Sequence, residues 1–242
     1  MSEHEIIMHA KKAFAIFRSS GMELKNKLSG ILMEIIIIVF AISISIWLHN
    51  WSERTLDRKE EMEFLAGFRK DIQTDIENIT KSREFYKNTL QGLKYFLKAG
   101  NEGSVNKDSI ARYSWIFFSS TDLDPHIGRY EGLKSSGKFR IIENKELLNN
   151  IINFQETIVQ RIQMLNEKYY QHTARLEVLV EQNVQLAKNG EITNAAVVLD
   201  RNDMKILLST SVGIITGNII GIHDEGLMKC NEIAGQIDKE LR

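Results

Sequence analysis

Four places along the sequence carry residue types whose spacing could do chemistry. The first is Gly132-Leu133-Lys134-Ser135-Ser136-Gly137-Lys138, which has the G-x-x-x-x-G-K spacing of a phosphate-binding loop. In such a loop the backbone N–H groups cradle phosphates, the lysine reaches the outer phosphates, and a following Ser or Thr hydroxyl holds Mg²⁺. Here the following residue is Phe139, and Pro125-His126-Ile127-Gly128-Arg129-Tyr130 does not read as the strand that must precede the loop. Val197-Val198-Leu199-Asp200 has the composition of an acidic partner strand, but the missing hydroxyl weighs against nucleotide binding. The segment reads instead as a short helix ended by Gly137 at its C-cap.

The second is Glu34, an acid inside an apolar run. Within a membrane such a group could pair with a basic residue of a partner helix or carry protons. It also lies about three residues, roughly 4.5 Å of helical rise, from the start of the run. At that depth it can reach the interface and sit favourably at a helix N-terminus. The third is the glycine ladder Gly213, Gly217 and Gly221, set in the uncharged stretch 206–222. Small residues every four positions let helices approach closely, as in membrane helix pairs. Ser209, Thr210, Ser211, Thr216 and Asn218 make this stretch polar and barely long enough to span, so a tight crossing inside a helical bundle is expected.

The fourth is histidine. His172 falls on an apolar stripe with no His or carboxylate at i±4, which reads as a core imidazole with its ring satisfied and not as a metal ligand. His223-Asp224-Glu225 are adjacent, so on a helix they point in different directions. No Ser/His/Asp or Cys/His set can be nominated, and neither an enzyme nor a cofactor is expected. The single cysteine, Cys230, excludes an internal disulfide and a Cys-based metal site. With 31 Lys+Arg against 32 Asp+Glu, the net charge of −1 gives no reason to expect nucleic acid as a partner.

The elements that must position these residues begin with a membrane span at 28–51. Between Leu28 and Asn50 the only charged residue is Glu34, and roughly 20 apolar residues are what a helix needs to cross the hydrocarbon layer. Trp47 and Trp51 stand at its C-terminal end, where indoles anchor at the interface. Ser43-Ile44-Ser45, the small residues of a cleavage-like site, lie inside the run and not after it, so a retained anchor is expected. Flanking positive charges balance, Arg18, Lys25 and Lys27 against Arg54, Arg58 and Lys59. The expected orientation keeps the basic tail, 1–27, in the cytoplasm, because long C-terminal domains translocate largely regardless of charge.

Beyond the span the hydrophobic period is helical throughout, and one proline in 242 residues leaves long helices uninterrupted. Leu65, Phe68, Ile72, Ile76, Ile79, Tyr86, Leu90, Leu93 and Leu97 form a stripe with one skipped step at Arg83, predicting a helix over 52–99 stopped by Gly100-Asn101-Glu102-Gly103. A second helix is predicted over 145–187 with Asn144 as N-cap, and a third over 203–241. Segment 107–143 is expected to supply a short helical cap. Each long helix is apolar on one stripe only and needs neighbours. The fold class is therefore all-α, with one N-terminal transmembrane helix continuing into an antiparallel, coiled-coil-like bundle of long helices over 52–242.

Two segments carry a family resemblance. The run from Glu34-Ile35-Ile36 to Asn50-Trp51 is one. The other is Arg129-Tyr130-Glu131-Gly132-Leu133-Lys134-Ser135-Ser136-Gly137-Lys138 with Ile141-Ile142-Glu143-Asn144-Lys145-Glu146-Leu147. Together they resemble an uncharacterised family, a domain of unknown function, of bacterial single-pass membrane proteins with a helical soluble domain. The resemblance extends over most of the chain, implies the same architecture and supplies no activity. Two function classes follow. One is a structural or interaction subunit of the envelope that holds a protein partner or a second copy of itself. The other is a ligand-sensing bundle that signals through a separate partner, since a tail of about 27 residues is too short for an output domain.

Overall fold

The computed structural model describes the backbone from Glu3 to Arg242, and side chains at Leu32, Met33 and from Ile35 onward. It is all-α: 84% of the chain is helical, with no strand among the described residues. Two compact units divide it, Met1–Lys59 and Glu60–Arg242. Helix α1, Glu3–Glu102, contributes to both. The second unit adds α2 (Lys107–Tyr113), α3 (Gly128–Ser135), α4 (Lys145–Asn153), α5 (Val159–Asn183), α6 (Ala195–Asp200), α7 (Asn202–Ile214) and α8 (Ile220–Glu240), with 3₁₀ turns at Ser114–Phe117 and Lys138–Ile141.

The inward row of α1 in the second unit alternates steps of four and three: Glu61, Leu65, Phe68, Ile72, Asp75, Ile79, Ser82, Tyr86, Thr89, Leu93, Phe96 and Gly100 are all buried. That spacing is a heptad seam. It differs from the expected stripe, because the seam passes through Ser82 and leaves Ile76, Leu90 and Leu97 half-buried on its flank. The helix also runs through Gly100, where the chain was expected to stop, and ends at Gly103, whose φ of 65° closes it in the left-handed region. Gly100 is needed for another reason. A Cβ there would lie 2.5 Å from the Leu199 carbonyl oxygen, so α1 and α6 meet backbone against backbone.

The second long helix is capped by Asn144, whose Oδ1 accepts the Leu147 N–H at 3.1 Å. It is not one regular helix. A π-helical turn, Phe154–Ile158, separates α4 from α5, and α5 ends at Asn183, four residues short of the predicted 187. A second π turn, Ile215–Ile219, lies between α7 and α8. Each inserts one residue per turn and re-aims the apolar face. After α5 the chain makes a short hairpin held by the antiparallel bridge Leu186–Ile192, then α6.

Helix α4 packs on α8, and α5 packs on α7. One core cluster gathers Phe68, Ile72 and Ile79 with Ile151, Phe154, Ile158, Ile222 and Ile233. The other gathers Tyr86, Leu93 and Phe96 with Tyr169, Leu176, Leu208, Ile215 and Ile219. Two helical stretches are long and apolar enough to cross a membrane, Ile35–Glu102 and Asn202–Glu240. None of the most apolar window of the first is buried, whereas 39% of the second's is, on the face that builds these clusters.

Candidate functional site

The segment with phosphate-loop spacing folds as α3 and a 3₁₀ turn. Its amides are spent internally: Ser136 N–H donates to the Gly132 carbonyl at 3.2 Å and Gly137 N–H to that of Lys134 at 3.0 Å, with Gly137 at φ 67°. This is a helix C-cap and not an anion cradle. The basic residues are paired as well. Lys138 donates to Glu60 Oε2 at 2.6 Å, and Arg129 to Asp71 Oδ2 at 2.9 Å with its guanidinium laid over Gly67. Lys134 and the Tyr130 hydroxyl donate to the same oxygen, Glu156 Oε1. The Lys134 hydrogen bond, then that of Tyr130, holds the Glu156 carboxyl below its usual range. The motif is a bracket that ties α3 to α1 on one side and to the first π turn on the other.

The interior holds polar groups whose partners lie far apart in the chain. Ser82 Oγ stands 2.9 Å from His223 Nε2, and His223 Nδ1 is 2.8 Å from the Ile219 carbonyl. A carbonyl only accepts, so Nδ1 carries the proton and Nε2 accepts from the serine. Desolvation holds the imidazole below its ordinary range, which keeps it neutral. A serine against a neutral histidine is half of a nucleophilic set. Here, however, Ser82 is 2% and His223 0% exposed, so no substrate reaches them. His172 is buried as expected, its Nε2 3.0 Å from the Leu207 carbonyl. Tyr86 donates to Asn166 Oδ1 at 2.9 Å. Burial pushes the Cys230 thiol up, so it is no nucleophile. Among the described residues no cluster of three or more His, Cys, Asp or Glu could hold a metal ion.

The glycine ladder requires correction. Gly213, Gly217 and Gly221 are exposed, and a Cβ at any of them would meet open space. They do not make a tight crossing within the chain, because the buried row is Ser211, Ile215, Ile219 and Ile222, on the opposite side. The close approaches fall at other glycines. A Cβ on Gly226 would lie 3.3 Å from Ile162 Cδ1 and 3.4 Å from Ile79 Cδ1, and one on Gly92 would lie 3.1 Å from Ile116 Cδ1. Trp47 and Trp51 are 64% and 62% exposed. The side chain of Glu34 lies outside the described residues.

The most ligand-like feature is a cavity that no single motif announces. Where α1 and α5 end and α6 crosses over them, a space of about 320 Å³ remains, within the range of small-molecule sites. Its inner wall is Phe96, Phe117, Val198, Leu199 and Met204, all buried, and Phe118 and Leu186 stand exposed at its rim. Ser114 and Glu181 are the only polar side chains lining it. Chemically it can hold an apolar body, with the Ser114 hydroxyl and the Glu181 carboxylate as its polar groups. Comparison with family models, with curated proteins and with solved structures finds no match. The functional reading therefore rests on geometry.

Proposed function

We propose that this chain is a single-pass membrane protein whose helical domain serves as an interaction subunit or scaffold of a larger bacterial envelope assembly. The observation that carries this reading is the apolar run before Ser52. Fourteen large apolar side chains from Leu32 to Trp51 are exposed, and none of the window is covered by the rest of the chain. At about 1.5–3 kcal/mol for each side chain fully buried, covering them is worth roughly 20–40 kcal/mol, a sum only lipid or an extensive partner supplies. The competing stretch, Asn202–Glu240, spends its apolar face inside the domain, which supports one span and not two. Pairing of α5 with α7 and of α4 with α8, in reversed chain order, supports an antiparallel long-helix bundle. The open glycine ridge of α7 and α8 supports a protein partner or a second copy, since a helix can approach there without displacing any side chain.

The N-terminal tail is placed in the cytoplasm and the helical domain outside it, at the inner membrane. A phosphatase active only outside the cytoplasm, fused to the C-terminus of the full chain, tests the orientation. Activity is expected, and an inactive enzyme on a well-expressed fusion reverses it. A photo-crosslinker at position 217 tests the interaction. It should capture one discrete species in native membranes, and a crosslinker at buried position 226 should not. Equal patterns at the two positions would sink the scaffold reading.

A further inference from the structure

The cavity beside α6 lies outside the anchor reading and depends on none of it. Three properties define what it can take. Its volume is about 320 Å³, and at roughly 30 Å³ per water-sized group that is room for about ten such groups. One short chain fits, and a two-chain lipid does not. Its wall is apolar from the buried Phe96 and Met204 out to the exposed Leu186, so the occupant must be apolar over most of its length. Its one ionisable lining residue is Glu181, exposed at the mouth with no ion-pair partner among the described residues, and no cation lines the space. A carboxylate or phosphate head would meet like charge there, whereas an ammonium would meet its complement.

We propose that this cavity is a binding site for a free single-chain amphiphile with a cationic head, the chain lying along Phe96, Val198 and Met204 and the ammonium at Glu181. Pocket and charge are supplied by different elements. Met204 and Val198 come from the α6–α7 corner that Gly100 allows to sit against α1, while Glu181 stands in the last turn of α5. The unbranched thioether of Met204 lets the inner end fit chains of differing shape.

The test uses the full chain in lipid nanodiscs, titrated calorimetrically with n-decylammonium, decanoate and decanol below their micellar concentrations, with empty discs subtracted. An occupant of about eleven heavy atoms should bind decylammonium saturably with a Kd between about 10 µM and 1 mM. An exposed ion pair on one head and like charge on the other should separate decylammonium from decanoate by about two- to twentyfold. Glu181→Gln, a surface change with no folding risk, should bring the two within about twofold while decanol binding is unchanged. Ala195→Phe, which fills the cavity from α6, should abolish all three, with far-ultraviolet circular dichroism as the check on fold. Absence of saturable binding up to 1 mM, decanoate binding as tightly as decylammonium, or indifference to both substitutions would each overturn the proposal.

Discussion

Two glycine-to-alanine substitutions separate the geometry described here from the one that glycine spacing alone suggests. In a helix interior alanine is favoured over glycine by about 0.8–1 kcal/mol. At Gly221 a Cβ has nothing within 4 Å, so no steric term opposes that gain. Gly221→Ala should therefore stabilise the domain by about 0.8–1 kcal/mol, or roughly 2–4 °C in Tm for a unit of this size. At Gly100 the added Cβ would sit 2.5 Å from the Leu199 oxygen and 3.0 Å from its carbonyl carbon. Those are backbone atoms that cannot rotate away, so α6 must move off α1. Because the clash falls on backbone, the upper part of the overpacking range applies, about 2–3 kcal/mol, which outweighs the helical gain and leaves a net loss of about 1–2 kcal/mol. The measurement is denaturant unfolding of each variant in identical nanodiscs, read as a shift in midpoint at constant slope. Loss of stability in Gly221→Ala would show that the ladder packs within the chain. A neutral Gly100→Ala would show that α1 and α6 do not meet backbone to backbone. Because the ridge is open, the triple substitution at 213, 217 and 221 should raise the stability of the isolated chain and lower the yield of any species crosslinked there.

Other perturbations have equally definite directions. Because burial lowers the His223 pKa, its contribution to stability is complete above about pH 6.5, where the unfolded imidazole is also neutral, and declines as pH falls below that value toward the lowered folded one. Tm measured between pH 7.5 and 5 should fall, and His223→Gln should flatten the slope. Asp75 works in the opposite sense. Desolvation raises its pKa, so the folded state takes up its proton first and Asp75→Asn should remove a gain on acidification toward pH 4, seen as a steeper acid loss. Lys138→Ala removes an ion pair whose partners are both about half exposed and should cost at most about 1 kcal/mol. The wild type should show no saturable Mg·ATP-dependent rise in Tm. Tyr130→Phe, which deletes one of two donors to Glu156, should cost about 1–2 kcal/mol by the same unfolding measurement.

Much of the architecture was legible because period is a local property. Leu65, Ile72, Ile79 and Leu93 repeat at helical spacing, and Asn144 is a cap by residue type alone. What could not be read depends on residues far apart in sequence. The hydroxyl of Ser82 is satisfied on the core face by His223, 141 positions away, which receives its proton. The expected stripe skipped a step at Arg83, whereas the seam passes one residue earlier, through Ser82. The π turns were invisible for a related reason: an inserted residue shifts the face by about 100°, and Leu147, Ile151, Ile158 and Ile162 still satisfy a loose helical pattern. The ladder at Gly213, Gly217 and Gly221 misled because small residues mark a face without saying what lies opposite it. The apolar row at 208, 215, 219 and 222 pointed the other way and outweighs it. The phosphate-loop spacing was correctly read as a C-cap from Phe139 and Gly137. Nothing local could show the cavity, whose walls come from α1, the first 3₁₀ turn, α5 and the α6–α7 corner.

The polar members of the α1 seam suggest what fixes this fold in one register. Leu65, Ile72, Ile79, Tyr86 and Leu93 recur every seven residues, and all but Tyr86, whose hydroxyl donates to Asn166, are nearly interchangeable as apolar knobs, so sliding α1 by one heptad, roughly 10 Å, would still bury a row of large side chains. The companion row is not interchangeable. Glu61 accepts the Glu143 N–H at 2.8 Å, Asp75 accepts the His126 N–H at 3.0 Å, and Ser82 pairs with His223, each partner coming from a different part of the chain. Thr89 needs none, since its hydroxyl donates to the Phe85 carbonyl one turn back. A one-heptad slip in either direction would set Phe68 against the Glu143 or the His126 N–H and strand Asp75 or Glu61 in the apolar place of Phe68, at about 1–3 kcal/mol or more for each group left unpaired. Apolar burial makes α1 associate with its neighbours; the three unlike polar contacts decide where along its length it does so. The same register brings Gly100 to Leu199, and with it the α6 corner that leaves the cavity open.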